Sequence, residues 1–303
     1  MEVSSAILSD ITVHMKYARY LEGKKRRENW NELVTRNMQM HIKKYPSLEQ
    51  EIRENYQFVY DKKVLPSMRS FQFAGKPIEV SPNRIFNCAY MPVDDIRSFS
   101  EAMFLLLGGT GVGFSVERQY VSKLPEVPAE LVDSDETIVV SDSKEGWAKA
   151  LRKLISTLYS GKVPSWDVSK VRPAGARLGV FGGRASGPAP LVDLFSFTIK
   201  LFRDNAGRKL SSYDCHNLMC KVGEVVVSGG VRRSAMISLS NLSDGRMRHA
   251  KSGTWWETAP QMALANNSVS YTDKPDGETF LREWTSLVES KSGERGIFNR
   301  TCN

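Results

Sequence analysis

From residue 84 to residue 290 the chain alternates short apolar runs with amphipathic stretches of 10 to 17 residues. That alternation limits the available folds more than any other feature. Parallel strands need a crossover of a dozen or more residues between them, usually a helix, so the pattern predicts an α/β architecture with a largely parallel sheet or barrel. RIFNCAYMPV (84–93) reads as a strand. SFSEAMFLLL (98–107) reads as a helix opened by a serine cap with a glutamate three residues on, the capping-box spacing. GGTGVGF (108–114) leads into SVERQYV as the next strand. Residues 137–161 read as a strand, a capped turn and a long helix, and 191–207 and 211–227 as two further helices. VRRSAMISLSNL and ALANNSVSY (263–271) read as strands, and 277–290 as a final helix.

Residues 1–65 have a different texture. Ser9 and Asp10 are placed to cap a helix carrying Ile11, Val13, Met15, Tyr17 and Tyr20. Residues 28–44 show a cleaner amphipathic spacing, and Pro46-Ser47 restarts a third helix that Pro66 ends. GKKRRE (23–28) reads as a solvated basic turn. After Pro66 short strands and glycine-rich turns are expected, so the chain divides into a helical region, 1–65, and an α/β region, 66–303. With 303 residues, 41% hydrophobic and 25% charged, there is ample chain for a core, which excludes disorder and collagen-like folds. No apolar run approaches the roughly 20 residues of a membrane helix, and no signal peptide is evident at the N-terminus. Four cysteines (Cys88, Cys215, Cys220, Cys302) are too few for a disulfide framework and fit a reducing cytoplasm. A net charge of +8 permits an anionic partner, nucleotide phosphates or nucleic acid, without choosing between them.

The glycine motif GGTGVGF follows a helix and precedes a strand, the wrong order for a dinucleotide fingerprint. Its glycines instead let backbone approach a ligand or neighbouring strand closely. On local sequence alone Cys88, beside Asn87, reads as a small buried hydrophobe. Cys215 and His216 are adjacent on a helix and point apart, Cys215 and Cys220 are poorly spaced for a shared metal, and no metal site is expected. Two loops suit phosphate: VSGGVRRSA (227–235), and VRPAGARLGVFGGRASGPAP (171–190) with Arg172, Arg177 and Arg184 among glycines. Arginine forks match phosphate oxygens and stack on bases, although solvated basic loops would look the same. Asp142-Ser143 heads a helix either as a plain N-cap or as a phosphate-binding terminus.

The strings FNCAYMPVDD, GGTGVGFSVERQYVSKLPEV, VVSDSKEGWAKAL, WDVSKVRPAGARLGVFGGRASGPAPL, VVSGGVRRSAMISLSNLSD, RMRHAKSGTWWE, ALANNSVSYT and ESKSGERGIFNR occur in that order. Together they strongly resemble the class II, adenosylcobalamin-dependent ribonucleotide reductases, in particular the monomeric ribonucleoside-triphosphate reductase branch of bacteria and phages. The resemblance implies the first half of a ten-stranded α/β barrel, preceded by the N-terminal helices, with an effector-binding insertion at about 116–190. It implies that Cys88 is the reducing cysteine on the first barrel strand, which donates a proton as the 2′-hydroxyl leaves and ends turnover as half of a disulfide. Asn87 and the loop Gly229, Gly230, Val231, Arg232, Arg233, Ser234 would read the substrate under effector control. Arg118, Lys123, Asp142, Ser143, Arg172, Arg177 and Arg184 would contact a deoxynucleoside triphosphate effector.

The family's Asn-Pro-Cys-x-Glu finger loop does not occur in the sequence, and Cys302 lacks the flanking residues for the radical role. The resemblance therefore implies an N-terminal half, inactive alone. A second chain would supply the rest of the barrel and most of the adenosylcobalamin site, or the half would survive as a nucleotide-binding remnant. It also implies a ribonucleoside triphosphate substrate, a thioredoxin-like dithiol reductant, a cytoplasmic location, and no membrane or direct nucleic-acid partner. A nucleic-acid-binding module remains the rival reading, carried only by the +8 charge and the arginine loops.

Overall fold

The computed structural model describes residues 3–177, 184–228 and 236–300. Contacts divide the chain into two compact units, Met1–Asn87 and Cys88–Asn303. The first holds α1 (Val3–Lys16), a two-residue hairpin of β1 (Tyr20–Leu21) and β2 (Arg26–Arg27), α2 (Trp30–Lys44), α3 (Glu49–Tyr60), α4 (Met68–Phe73) and α5 (Lys76–Val80). Helix α2 begins with a reciprocal cap: Asn29 Oδ1 accepts from the Glu32 amide at 2.9 Å, and Glu32 accepts from the Asn29 amide at 2.9 Å. Its apolar face buries Leu33 and Val34 with Val13, Val59 and Phe71.

Three expectations for this unit are corrected. Ser9 and Asp10 lie inside α1 rather than capping it. The basic run 23–28 is not merely solvated, because Lys24 and Arg26 both pair with Glu32. Residues 68–85 form helical turns instead of strands. Pro77 and Pro82 stand in the first turns of two of them, where a missing N–H costs nothing.

The second unit contains a five-stranded parallel sheet in the order β3 (Cys88–Pro92), β4 (Gly111–Ser115), β7 (Met236–Asn241), β8 (Ala265–Tyr271), β9 (Gly296–Asn299). Between its strands run α6 (Ser98–Leu107), α7 (Arg118–Val121), α8 (Lys144–Tyr159), α9 (Ala189–Asp204), α10 (Ser212–Ser228), α11 (Gly245–Arg248), α12 (Trp255–Thr258) and α13 (Gly277–Ser290). A separate two-stranded parallel sheet, β5 (Val132–Val139) with β6 (Lys162–Asp167), encloses α8 as a βαβ unit. The α/β class with parallel sheets is therefore as the alternation predicts. One face of the large sheet, carrying Met91, Val112, Phe114 and Met236, packs into a core with Phe99, Leu106, Leu154, Phe195 and Leu218 from the helices.

Strand boundaries shift from the sequence expectation. The glycine motif does not precede β4 but is β4, and ERQYV forms α7. A Cβ on Gly113 would stand 3.2 Å from Ile237 Cγ2, so the sheet closes over the glycine itself. Ser98 is no helix cap: its hydroxyl donates to the Pro92 carbonyl, and Arg97 occupies the capping position. Strands β6 and β9 carry no strong alternation and were not anticipated. Among the described residues no helix is long and apolar enough to cross a membrane.

Helix α10 buries a polar pair in this core. His216 Nδ1 lies 3.0 Å from Ser238 Oγ on β7, and Cys220 Sγ lies 3.5 Å from His216 Nε2. Burial, reinforced by the Lys251 charge, pulls the imidazole down to about 3. The fold thus holds His216 neutral, whereas the unfolded chain protonates it near pH 6.5. Stability contributed by the neutral ring is complete above pH 6.5 and is lost as pH falls toward 3. His216→Gln should therefore be less acid-sensitive, its stability-versus-pH slope between pH 6 and 4 reduced by up to about 1.4 kcal/mol per pH unit. Urea unfolding at stepped pH measures this.

Candidate functional site

Parallel pairing fixes which side chains share the other face of the large sheet. Cys88 stands opposite Gly111, and Tyr90 opposite Gly113. Gly113 in turn pairs with Ile237, and Ile237 with Asn266. The two glycines leave the backbone bare beside Cys88 and Tyr90, and the Tyr90 ring lies alongside Gly113. Cys88 is a free, exposed thiol at the first residue of β3. The reading of Cys88 as a buried hydrophobe is thereby corrected, because it begins an edge strand on the face the helices do not cover.

Cys215 and Cys220 are the buried thiols, and burial pushes both far above the ordinary thiol range. They suit packing, since the thiolate is the reactive form. Asn87 is exposed directly before Cys88. The substrate-loop residues Gly229, Gly230, Val231, Arg232, Arg233 and Ser234 lie outside the described residues, as does Cys302.

Farther along the same face a polar cluster joins four segments. Glu117, almost fully buried, accepts from Ser115 Oγ at 2.6 Å, from Gln119 Nε2 at 3.1 Å, and from Arg300 Nη2. Arg300 also donates to Ser270 Oγ at 3.0 Å and to the Tyr120 hydroxyl at 3.2 Å. Burial and the neighbouring Tyr120 phenol raise the Tyr90 hydroxyl above its ordinary range, keeping it protonated. Sequence reading missed this cluster, whose two charged members lie 183 residues apart. It also missed the His216–Cys220 pair, although the four-residue helical spacing was there to be used.

In the βαβ unit Ser143 caps α8, its hydroxyl accepting from the Gly146 amide at 2.9 Å. Asp142 beside it pairs with Arg172 at 2.7 Å. Residues 178–183 lie outside the described residues; on either side of them Arg177 and Arg184 form an antiparallel bridge, and Gly175 N–H donates to the Ala185 carbonyl at 2.8 Å. Asp142, Ser143 and Arg172 are thus brought together, with Arg177 beside Arg184. Arg118 and Lys123 stand elsewhere. Arg118 begins α7, and Lys123 pairs with Asp94 at 3.3 Å. A groove of about 430 Å³ between α6 and α8 presents Glu101, Glu145, Lys149 and Arg152 over Phe104 and Leu105.

Comparison with known proteins bears on both regions. Residues 125–201, which include β5, α8 and β6, match the family model described as B12-dependent ribonucleotide reductase, insertion domain. The chain is 27% identical to an adenosylcobalamin-dependent ribonucleoside-triphosphate reductase of Lacticaseibacillus paracasei, an alignment covering 95% of this chain and 48% of that protein. It is 28% identical to the reductase of the same description from Lactobacillus leichmannii, over 77% of this chain and 41% of the relative. Its fold superposes on a crystal structure of a B12-dependent (class II) ribonucleotide reductase with a TM-score of 0.81 at 25% identity, covering 95% of this chain and 48% of the other. The chain is thus similar in sequence and fold to the class II ribonucleotide reductases. It spans about half the length of the curated relatives it matches.

Two outcomes follow from the geometry. In a Cys302→Ser chain a thiol reagent should modify one cysteine in the native state, Cys88, and two more only after unfolding; absorbance titration counts them. A Cβ on Gly146 would fall 2.4 Å from the Ser141 carbonyl oxygen. Gly146→Ala should therefore push the Asp142–Ser143 turn away from α8 and lower stability by about 1–3 kcal/mol, read by thermal unfolding.

Proposed function

We propose that this chain carries the reducing thiol, the substrate-reading loop and the effector region of an adenosylcobalamin-dependent ribonucleoside-triphosphate reductase. The observation that carries the reading is Cys88, an exposed free thiol beginning an edge strand of a parallel sheet, beside a glycine-bared strand. In this reading the five strands are half of a ten-stranded barrel, with residues 1–65 a helical region before it. The ribose sits against Cys88 and Tyr90. Cys88 gives its proton to the departing 2′-hydroxyl, which leaves as water. The thiol then closes a disulfide with a cysteine from outside these residues, and a thioredoxin-like dithiol reduces that bond again. Hydrogen replaces the hydroxyl at the 2′ carbon, and the two electrons come from the dithiol.

Asn87 and residues 229–234 would hold the substrate on the side of the effector. The deoxynucleoside triphosphate effector would lie at the head of α8, where Ser143, Arg172, Arg177 and Arg184 offer a capped helix terminus and arginine forks. Among the described residues no cluster of three or more metal-ligating side chains occurs, and the groove between α6 and α8 holds only about 430 Å³. Neither fits the corrin of adenosylcobalamin, so no step is derived through it. The reaction is proposed for the protein in which these residues join the finger loop and the second half of the barrel.

The test has two parts. Calorimetry on the chain should show saturable binding of a deoxynucleoside triphosphate, weakened at least about tenfold by Arg172→Ala, the loss of one charge-assisted contact. In the assembled reductase Cys88→Ser should abolish dithiol-driven turnover and leave that binding intact. Undiminished turnover would return Cys88 to a packing role. Retention on DNA with a steep salt slope, and no nucleotide saturation, would favour a nucleic-acid-binding module instead.

A further inference from the structure

We propose that a second anion site, separate from the thiol face and from the head of α8, lies outside the carboxyl ends of β4 and β7 and takes the phosphate chain of a di- or triphosphate. A cleft of about 710 Å³ opens there between the start of α7, the approach to α10 and the turn into α11. Three cations from three separate segments line it: Arg118, Lys209 and Arg246. Only one lining carboxylate is present, Asp244, and it is already engaged by Ser212 Oγ at 2.5 Å and by the Met247 amide at 3.1 Å.

Several other basic side chains of the protein stand against carboxylates. Lys24 and Arg26 share Glu32, Arg36 has Glu28, Lys153 has Glu136, and Arg248 and Arg295 share Glu283. In the cleft Lys209 donates to a neutral acceptor, the Ser122 carbonyl, at 2.6 Å, which fixes the ammonium without cancelling its charge. The Arg118 backbone is pinned by its amide to Asn241 Oδ1 at 2.6 Å, on the last residue of β7, leaving the guanidinium to project. Three converging like charges repel one another unless an anion joins them, and guanidinium forks match phosphate oxygens bidentately. Three cations suit the charge of a di- or triphosphate, and the cleft volume exceeds that of a single phosphate. Cys88 opens β3 at the opposite strand ends. The four residue steps of β3, at about 3.3 Å each, separate the two levels by roughly 13 Å, so one nucleotide pose does not explain both.

Calorimetric titration of the full chain with inorganic tripolyphosphate, ATP and adenosine tests the site. Saturable tripolyphosphate binding is expected, weakened at least about tenfold by Arg118→Ala with Arg246→Ala, partly retained by Arg118→Lys, and unchanged by Arg172→Ala. Arg118 and Arg246 are exposed and Arg172 is half-buried, and circular dichroism verifies that each variant folds. ATP binding more tightly than tripolyphosphate, with the same dependence on Arg118 and Arg246, identifies a nucleotide as the source. Equal affinities identify a bare polyphosphate, and either result supports the site. Binding that persists undiminished in the double variant, binding removed by Arg172→Ala, or no saturable binding overturns it. Because the readout depends on Arg118 and Arg246 and needs no turnover, its failure is distinct from failure of the Cys88 or Arg172 predictions.

Discussion

Parallel pairing of five strands in a single file is the constraint on which the rest of this structure depends. Each strand must be regained by a crossover, so helices accumulate on one face of the sheet and pack Phe114 and Met236 against Phe99 and Leu218. The side chains of alternate residues are left on the other face. Cys88, Tyr90, Gly111 and Gly113 fall there by parity alone. A shift of one residue in register would send Cys88 into the helical core and bring Met91 out.

The edges of the sheet are held by charge as well as by backbone bonds. At β9 the buried Arg295 pairs with Glu283 of α13, and its remaining N–H groups donate to Ser240 Oγ and to the carbonyls of Asn241 and Leu242. Glu283 also receives Arg248. Arg300, just beyond β9, reaches Glu117 beyond β4. Glu117, Glu283 and Arg295 are each paired and hydrogen-bonded, the condition under which burial of an ion is tolerated. These ties fix where the carboxyl ends of β4, β7 and β9 lie, and with them the position of Arg118 beside the second cleft.

Much of the fold was legible in local pattern. Helices α8, α9, α10 and α13 followed their apolar periodicity, and Ser143 was readable as the cap of α8. Pattern failed where local chemistry was ambiguous. Glycine-rich β4 looks like a turn until Ile237 and Tyr90 are seen closing over it. The segment 68–85 has strand-like composition but builds short helical turns around its prolines. Ser98, with Glu101 in the capping-box place, instead bonds the end of the preceding strand.

What the sequence determined by itself was the order of helices and strands, the α/β class and the motifs that tie the chain to class II reductases, because periodicity and short motifs are local properties. Tertiary structure decided which cysteine is exposed, since Cys88, Cys215 and Cys220 each have both polar and apolar neighbours in the sequence. It also decided which basic side chains are already satisfied. Lys24, Arg26 and Arg172 find carboxylates, whereas Arg118, Lys209 and Arg246 meet around a cleft containing one engaged carboxylate. Charge pairing joins residues tens to hundreds of positions apart, and only the folded chain brings them within reach.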